Sequence, residues 1–407
     1  MNDMETLIEL YVNEPFDDLA AFATFKPTRV VFLSAGFMPD RATRDAMTGF
    51  INEIDAPDRE KTEVHFIDIG NRSLGSLFKK MGEVVKRWPE CAVDMTGGPT
   101  GALIAAHRYC TRNGVRAFFY DDRRKKFINI HGMTEEIGRV TTPRLSVEQI
   151  IRMGGGLVTG NGHSAVPFFS NEECARKVLD IYSENVRHWN AFSEYLQFAC
   201  RSFYDPKAKL FAAPSTLLNN SSLLIANKRL LNLLEEAGAV SELVFEGETV
   251  VFRFRNAFIK ELLTTVGMCL ELLIFVSALD SDAFDDVDMS VMFDWDGVIH
   301  GNFNDTVNEI DAVMTKGLQS VFVSCKSSRP DTRDLYEIDY LGHRFGGRFA
   351  SVVIATATDL SADAWSIYMR ARDMGLIVIE RNDIEAGREH IAQMLLEPTW
   401  LAERPRK

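Results

Sequence analysis

Positive charge is what this sequence is short of. Its 45 Lys and Arg stand against 58 Asp and Glu, a formal net charge of −13 over 407 residues. No global basic field therefore draws the chain onto nucleic acid, and any such contact must come from local basic clusters. Cysteine is sparse as well: Cys91, Cys110, Cys174, Cys200, Cys269 and Cys325 lie far apart, with no CxxC pair and no His-rich segment. That signals neither a zinc site nor a disulfide framework and suits a reducing cytoplasm. The longest apolar stretch, Leu262 to Leu279, carries Glu271 near its centre, where a charge inside a bilayer costs about 2.5–3.5 kcal/mol even on the lenient insertion scale. It reads as a buried soluble helix, and no membrane partner is expected. The opening MNDMETLIELYVNEPFDD is acidic and lacks the basic-then-apolar order of an export signal, so a cytoplasmic location is expected. Internal repeats and low-complexity tracts are absent too.

What the chain does have is 46% hydrophobic and 25% charged residues, enough apolar material for two or three cores of roughly 100–200 residues each. Strand-length runs at 29–33, 63–69, 92–95 and 117–120 alternate with helical patterns at 41–54, 74–87 and 100–113, the signature of a parallel sheet covered on both faces. Residues 1–135 are therefore expected to form a Rossmann-like domain. The pattern weakens around 136–170, where Thr141-Thr142-Pro143 and Gly154-Gly155-Gly156 intervene, and 171–240 reads mainly as helices, so 136–240 is expected to be a linker and helical middle region. Residues 241–407 return to strand–helix alternation and predict a second α/β domain. In the sequence pattern the apolar stretch from Phe258 to Leu279 is one helix.

The chemistry concentrates in that last third. Asn308-Glu309-Ile310-Asp311-Ala312-Val313 alternates polar and apolar, which puts Glu309 and Asp311 on one strand face. After a Thr315-Lys316-Gly317 turn, Ser320-Val321-Phe322-Val323-Ser324-Cys325-Lys326 returns as an antiparallel neighbour, with Ser324 and Lys326 sharing a face. Clustered carboxylates repel, and a lysine ending an apolar strand loses hydration. A divalent ion resolves the conflict: the carboxylates bind Mg²⁺ or Mn²⁺ through oxygen, and the lysine orients water or steadies charge on phosphorus. Glu271, set in an apolar helix, supplies a third group that stays charged beside a metal or the lysine. Asp294 and Asp296, in Asp294-Trp295-Asp296-Gly297, suit a metal or a hairpin turn equally.

Glu309-Ile310-Asp311, Ser324-Cys325-Lys326 and the helical Glu271 resemble the PD-(D/E)xK nuclease fold. With Asp294-Trp295-Asp296-Gly297 before them and Arg344-Phe345-Gly346-Gly347 after, they look like the nuclease half of the CRISPR-associated Card/Can effectors, in whose pattern a serine takes the place of the second motif carboxylate, as Ser324 does. The resemblance implies Glu271, Glu309, Asp311, Ser324 and Lys326 as the catalytic set, and Glu271, Asp311 and Asp294 as metal ligands. Gly267-Met268-Cys269-Leu270-Glu271 departs from the family's helical motif by lacking its tryptophan.

Upstream, Val93-Asp94-Met95 runs into Thr96-Gly97-Gly98-Pro99-Thr100-Gly101 and a helix. Glycines between a strand and a helix N-terminus serve phosphate binding or plain turning. Ser34-Ala35-Gly36-Phe37 follows an earlier strand at the same carboxyl edge. These loops resemble the CARF domain, with Pro99 and Thr100 replacing a threonine and a lysine of its usual motif. Ser34, Ala35, Gly36, Phe37, Thr96, Gly97, Gly98, Pro99 and Thr100 are implied to bind a cyclic oligoadenylate, cyclic tetra-adenylate foremost, across a homodimer axis. The whole resemblance implies a ligand-activated nuclease of type III CRISPR defence that cuts single-stranded DNA or RNA, with nicking of duplex DNA as a further outcome. The alternative is a CARF regulator that binds DNA without cleaving it. The basic run Arg123-Arg124-Lys125-Lys126 reads as a solvated hairpin tip.

Overall fold

The structure, a computed structural model, describes residues 4–11, 19–34, 38–39, 41–54, 61–69, 73–121, 124–133, 142–220, 222–300 and 307–397. It divides into two compact units, Met1–Gly155 with Thr315–Gln319 and Phe345–Phe349, and the remainder of the chain.

The first unit is built on six strands: β1 (Thr6–Tyr11), β2 (Arg29–Ser34), β3 (Glu63–Asp68), β4 (Cys91–Asp94), β5 (Arg116–Asp121) and β6 (Lys126–His131). Their order is β3-β2-β1-β4-β5-β6; the first five run parallel, and β6 returns antiparallel on β5. The helices Arg41–Ile54, Leu74–Arg87 and Thr100–Asn113 fall where the periodicity places them. Ile8, Leu10, Val31, Leu33, Val93, Leu77, Met81 and Ala106 fill the core between sheet and helices. The central strand β1 was not anticipated. Every one of its residues is buried, as a strand flanked on both edges and both faces must be, yet Glu9 interrupts TLIELY and hides the apolar run inside an acidic segment. Arg124 and Lys125 do lie in the β5–β6 turn, Lys125 at φ 51°.

The second unit holds β7 (Leu157–Asn161), β8 (Tyr204–Asp205), β9 (Leu210–Pro214), β10 (Thr216–Asn219), β11 (Ser222–Ile225), β12 (Val240–Glu246), β13 (Thr249–Phe254), β14 (Asp286–Asp294), β15 (Val307–Lys316), β16 (Gln319–Lys326), β17 (Ala350–Thr356) and β18 (Ile377–Ile379). The principal sheet has the order β18-β17-β16-β15-β14-β7. Its β16, β17 and β18 are parallel, and β7 pairs antiparallel with β14. Two features differ from the expected division at residues 135 and 240. The strand β7, read as linker because it follows three glycines and contains Gly160 at φ 153°, completes the principal sheet. Likewise β12 and β13, expected with the C-terminal domain, join β9 and β8 in a separate four-stranded sheet cemented by Phe211 on Phe252 at 4.5 Å.

The single helix read over Phe258–Leu279 is two, Ala257–Thr264 and Met268–Asp280, meeting at 110°. Gly267, at φ 100°, makes the corner, a conformation that costs other residues strain. Met268–Asp280 is buried almost all round, from Met268 through Phe275 to Ala278, which marks a core helix. Among the described residues no single helix is long and apolar enough to cross a membrane.

Gly98 locks the loop after β4 onto the central strand β1. It sits at φ 134°, and a Cβ there would meet Leu10 Cβ at 2.9 Å. Gly98→Ala is expected to cost about 1–3 kcal/mol through overpacking and to lower the melting temperature by several degrees in circular dichroism; an unchanged melt would show that the loop yields freely.

Candidate active site

Three elements bring their chemistry together at one end of the principal sheet. The corner at Gly267 delivers Glu271 into the first turn of the Met268–Asp280 helix, close enough that a Cβ on Gly267 would lie 3.5 Å from Glu271 Oε1. The hairpin of β15 and β16, turned by Gly317 at φ 59°, brings Asp311 opposite the end of β16. Asp311 Oδ2 accepts from the Cys325 backbone N–H at 2.6 Å and from Ser324 Oγ at 3.4 Å.

The electrostatics define the site. Burial, then the charges of Asp311 and Glu309, push the Glu271 carboxyl up to about 7 against the pull of Lys326. Burial likewise raises Asp311, opposed by the Cys325 N–H and Lys326. Each carboxyl therefore holds a proton more readily than a free one, and a bound cation would favour its charged form. Lys326 goes the other way: burial opposes its charge, but the hydrogen bond and charge of Asp334, with Asp311 and Glu337, hold its ammonium above the usual lysine value. It is a fixed cation, not a proton acceptor. Burial and the neighbouring carboxylates keep the Cys325 thiol protonated.

Asp334 escaped the sequence reading. Its Oδ1 lies 3.2 Å from Lys326 Nζ, while its Oδ2 accepts from Asp331 N at 2.7 Å and Asp331 Oδ1 accepts from Asp334 N at 3.1 Å. The spacing Asp331-Thr332-Arg333-Asp334 is a reciprocal cap that opens the Thr332–Gly346 helix, and capping was its only visible signal. Ser290 was missed as well: buried in β14 at φ 51°, it donates to Glu309 Oε1. A Cβ on Gly162 would strike both groups, at 2.5 and 2.7 Å, so this corner closes only over glycine.

Asp294 Oδ1 accepts from Asp296 N and Val298 N, each at 3.2 Å, which is turn chemistry. Among the described residues no group of three or more His, Cys, Asp or Glu side chains is spaced to hold a metal ion. The Glu271–Asp311 pair is nonetheless an oxygen-only, partly desolvated donor set, which suits Mg²⁺ or Mn²⁺, ions that keep waters and substrate oxygens as their other ligands.

In the first unit, Thr96 is a brace: its Oγ donates to Asp94 Oδ1 and accepts from Tyr120 N at 2.8 Å, so its hydroxyl is spent within the loop. Gly97 is buried, and Pro99, Thr100 and Gly101 are exposed. No side chain caps the Thr100–Asn113 helix that Pro99 introduces, leaving first-turn N–H groups without a side-chain acceptor. Ser34 ends β2, buried; Ala35, Gly36 and Phe37 lie outside the described residues. Because β1 stands between β2 and β4, one strand separates the two loops along that edge.

The site therefore joins two carboxylates and a cationic lysine on a hairpin to a glutamate from a core helix. Residues 260–397 match the family described as Card1-like, endonuclease domain. Comparison with curated proteins gives no match. Among solved structures, protein VC1899 from Vibrio cholerae is similar with a TM-score of 0.72 at 15% identity, covering 96% of this chain and 98% of that one. Can2 from Sulfobacillus thermosulfidooxidans, solved in complex with cyclic tetra-adenylate, is similar with a TM-score of 0.69 at 16% identity, covering 96% and 99%. These likenesses are of fold, and the fold is in outline the expected α/β one, a Rossmann-like first unit followed by a second α/β unit, with strands β7 to β11 in the middle region expected to be helical.

The raised Glu271 makes stability depend on pH. With a folded value near 7 against an ordinary 4.5, the native state holds the extra proton between those values, so stability is greatest at the acid end of the window and is lost as pH rises to about 7. In metal-free buffer Glu271→Gln is expected to match wild type near pH 4.5 and to exceed it by on the order of 2 kcal/mol at pH 8. Denaturant melts across that range check this, and parallel wild-type and variant curves would refute it.

Proposed function

We propose that this chain is a divalent-metal-dependent endonuclease of type III CRISPR defence, cytoplasmic and homodimeric, switched on by a cyclic oligoadenylate and cutting single-stranded DNA or RNA. The observation that carries the reading is the meeting of Glu271, Asp311 and Lys326 inside the segment that matches the Card1-like endonuclease domain.

Glu271 and Asp311 would hold Mg²⁺ or Mn²⁺, which when bound polarises the scissile phosphate and lowers the pKa of an attacking water. The protein's own groups do the rest. The Cys325 N–H and Ser324 Oγ hold Asp311 Oδ2 against the neighbouring strand, which limits the rotation of that carboxylate. Lys326, steered by Asp334 and held protonated, is a preorganised positive charge for the negative charge that builds on phosphorus. Glu309, anchored by Ser290 at the exposed rim, adds to the field at Glu271 without entering the buried pair.

For the sensor, support comes from the exposed, uncapped start of the Thr100–Asn113 helix behind a glycine turn, an arrangement suited to phosphate, and from the likeness in fold to Can2, which binds cyclic tetra-adenylate. Cyclic tetra-adenylate is therefore the activator we assign. A ligand of this kind activates by binding one of two states more tightly. The intact carboxylate–lysine set weighs against a regulator that binds DNA without cutting it.

The test is a cleavage panel of single- and double-stranded DNA and RNA with Mg²⁺ or Mn²⁺, with and without cyclic tri-, tetra- and hexa-adenylate. Single-strand cleavage stimulated by the tetramer and abolished by EDTA is expected, and Lys326→Ala or Asp311→Asn should slow it by about 100-fold or more. A Lys326→Ala protein that cuts at the wild-type rate would remove the basis of the reading.

A further inference from the structure

We propose that the outer face of the Thr332–Gly346 helix, together with Trp295, is a base-stacking platform that feeds an unpaired nucleic-acid strand toward Lys326; the proposal rests on the nuclease reading and names how that site chooses its substrate.

Arg333, Tyr336, Tyr340 and Arg344 are spaced by three, four and four residues, which aligns them along one side of a helix. All four are exposed. Tyr336 and Tyr340 leave 53% and 60% of their surface in solvent. Trp295, on the loop that follows β14, stacks on Tyr340 with ring centres 5.5 Å apart and planes 9° from parallel. The Arg344 guanidinium lies 6.0 Å from the Trp295 ring centre. If these rings served only to fasten the loop to the helix, packing would cover them. Instead two tyrosine rings, about 6 Å apart along the axis, stand open with an arginine near each end of the row.

That combination matches one chemistry. Bases offer flat π faces to aromatic rings, and arginines pair with the phosphates between them. On a chain of net charge −13, the row has an arginine near each end, and the one carboxylate exposed between them, Glu337, acts on Lys326, so an anionic strand meets Arg333 and Arg344 at the ends of the row. A duplex keeps its base faces stacked inward and gains nothing from exposed rings, so the platform favours single strands. Its position is also fitting. The stripe starts beside Asp334, whose carboxylate holds Lys326 at 3.2 Å, and Glu337, the acidic residue next to Tyr336, lends its charge to that same lysine.

The test measures binding of the whole protein, in EDTA so that nothing is cut, to a labelled deoxythymidine homopolymer, its abasic analogue and a duplex of equal length, with cyclic tetra-adenylate present. Wild type should bind the homopolymer more tightly than the abasic strand and with quenching of tryptophan fluorescence. Trp295→Ala and Tyr340→Ala should each weaken homopolymer binding by about 5- to 100-fold and leave abasic binding unchanged. Trp295→Phe and Tyr340→Phe, which keep the flat ring, should restore it. The abasic comparison needs no variant and so stands even if an alanine protein folds poorly. Equal affinity for the base-bearing and abasic strands by a protein that still cleaves overturns the platform and leaves the nuclease intact. A wild type that neither binds nor cleaves any strand overturns both.

Discussion

The constraint on which the second unit turns is the burial of two like charges. Glu271 and Asp311 repel each other in a partly dehydrated setting, and nothing about a hydrophobic core favours that. Their proximity persists because each is fixed by something stiffer than a side chain. Glu271 is carried on a helix buried nearly all round and entered through a glycine corner. Asp311 is tied to the backbone of the neighbouring strand. Stability stored in the packing of Leu272, Leu273, Phe275 and Val276 thus maintains an unfavourable pair at the surface of that core, as is expected where binding function overrides local optimisation.

Much of this was legible in the sequence, and the reasons differ by element. The β15–β16 hairpin announced itself because alternation has a period of two and a glycine turn sets the register, so Asp311 and Lys326 could be assigned to one hairpin from the sequence. The helices at 41–54, 74–87 and 100–113 were legible for the same kind of reason. Glu9 concealed β1 because a single carboxylate in a strand of six residues destroys the pattern on which recognition relies. The Gly267 corner was hidden by the opposite effect: apolar residues continue through it, and composition carries no information about direction. Asp334 and Ser290 belong to the site only through three-dimensional closeness to Lys326 and Glu309, which no local spacing encodes.

The first unit shows how a motif residue can matter without touching a ligand. Thr96 and Gly98 match the expected loop pattern, yet the hydroxyl of one braces Asp94 and Tyr120 and the missing side chain of the other admits Leu10. What they provide is a rigid turn that presents Pro99, Thr100 and Gly101 at a helix start. The motif is there as carpentry, and under the proposed function an anion would meet the backbone N–H groups of the helix start.

The reciprocal cap between Asp331 and Asp334 carries one more consequence. Helix ends fray, opening and closing with free energies far below that of global unfolding, and here the same carboxylate that closes the first turn also holds the ammonium of Lys326. Each time the turn opens, the lysine loses its guide. The position of Lys326 and the closure of the helix end are thus coupled through one carboxylate.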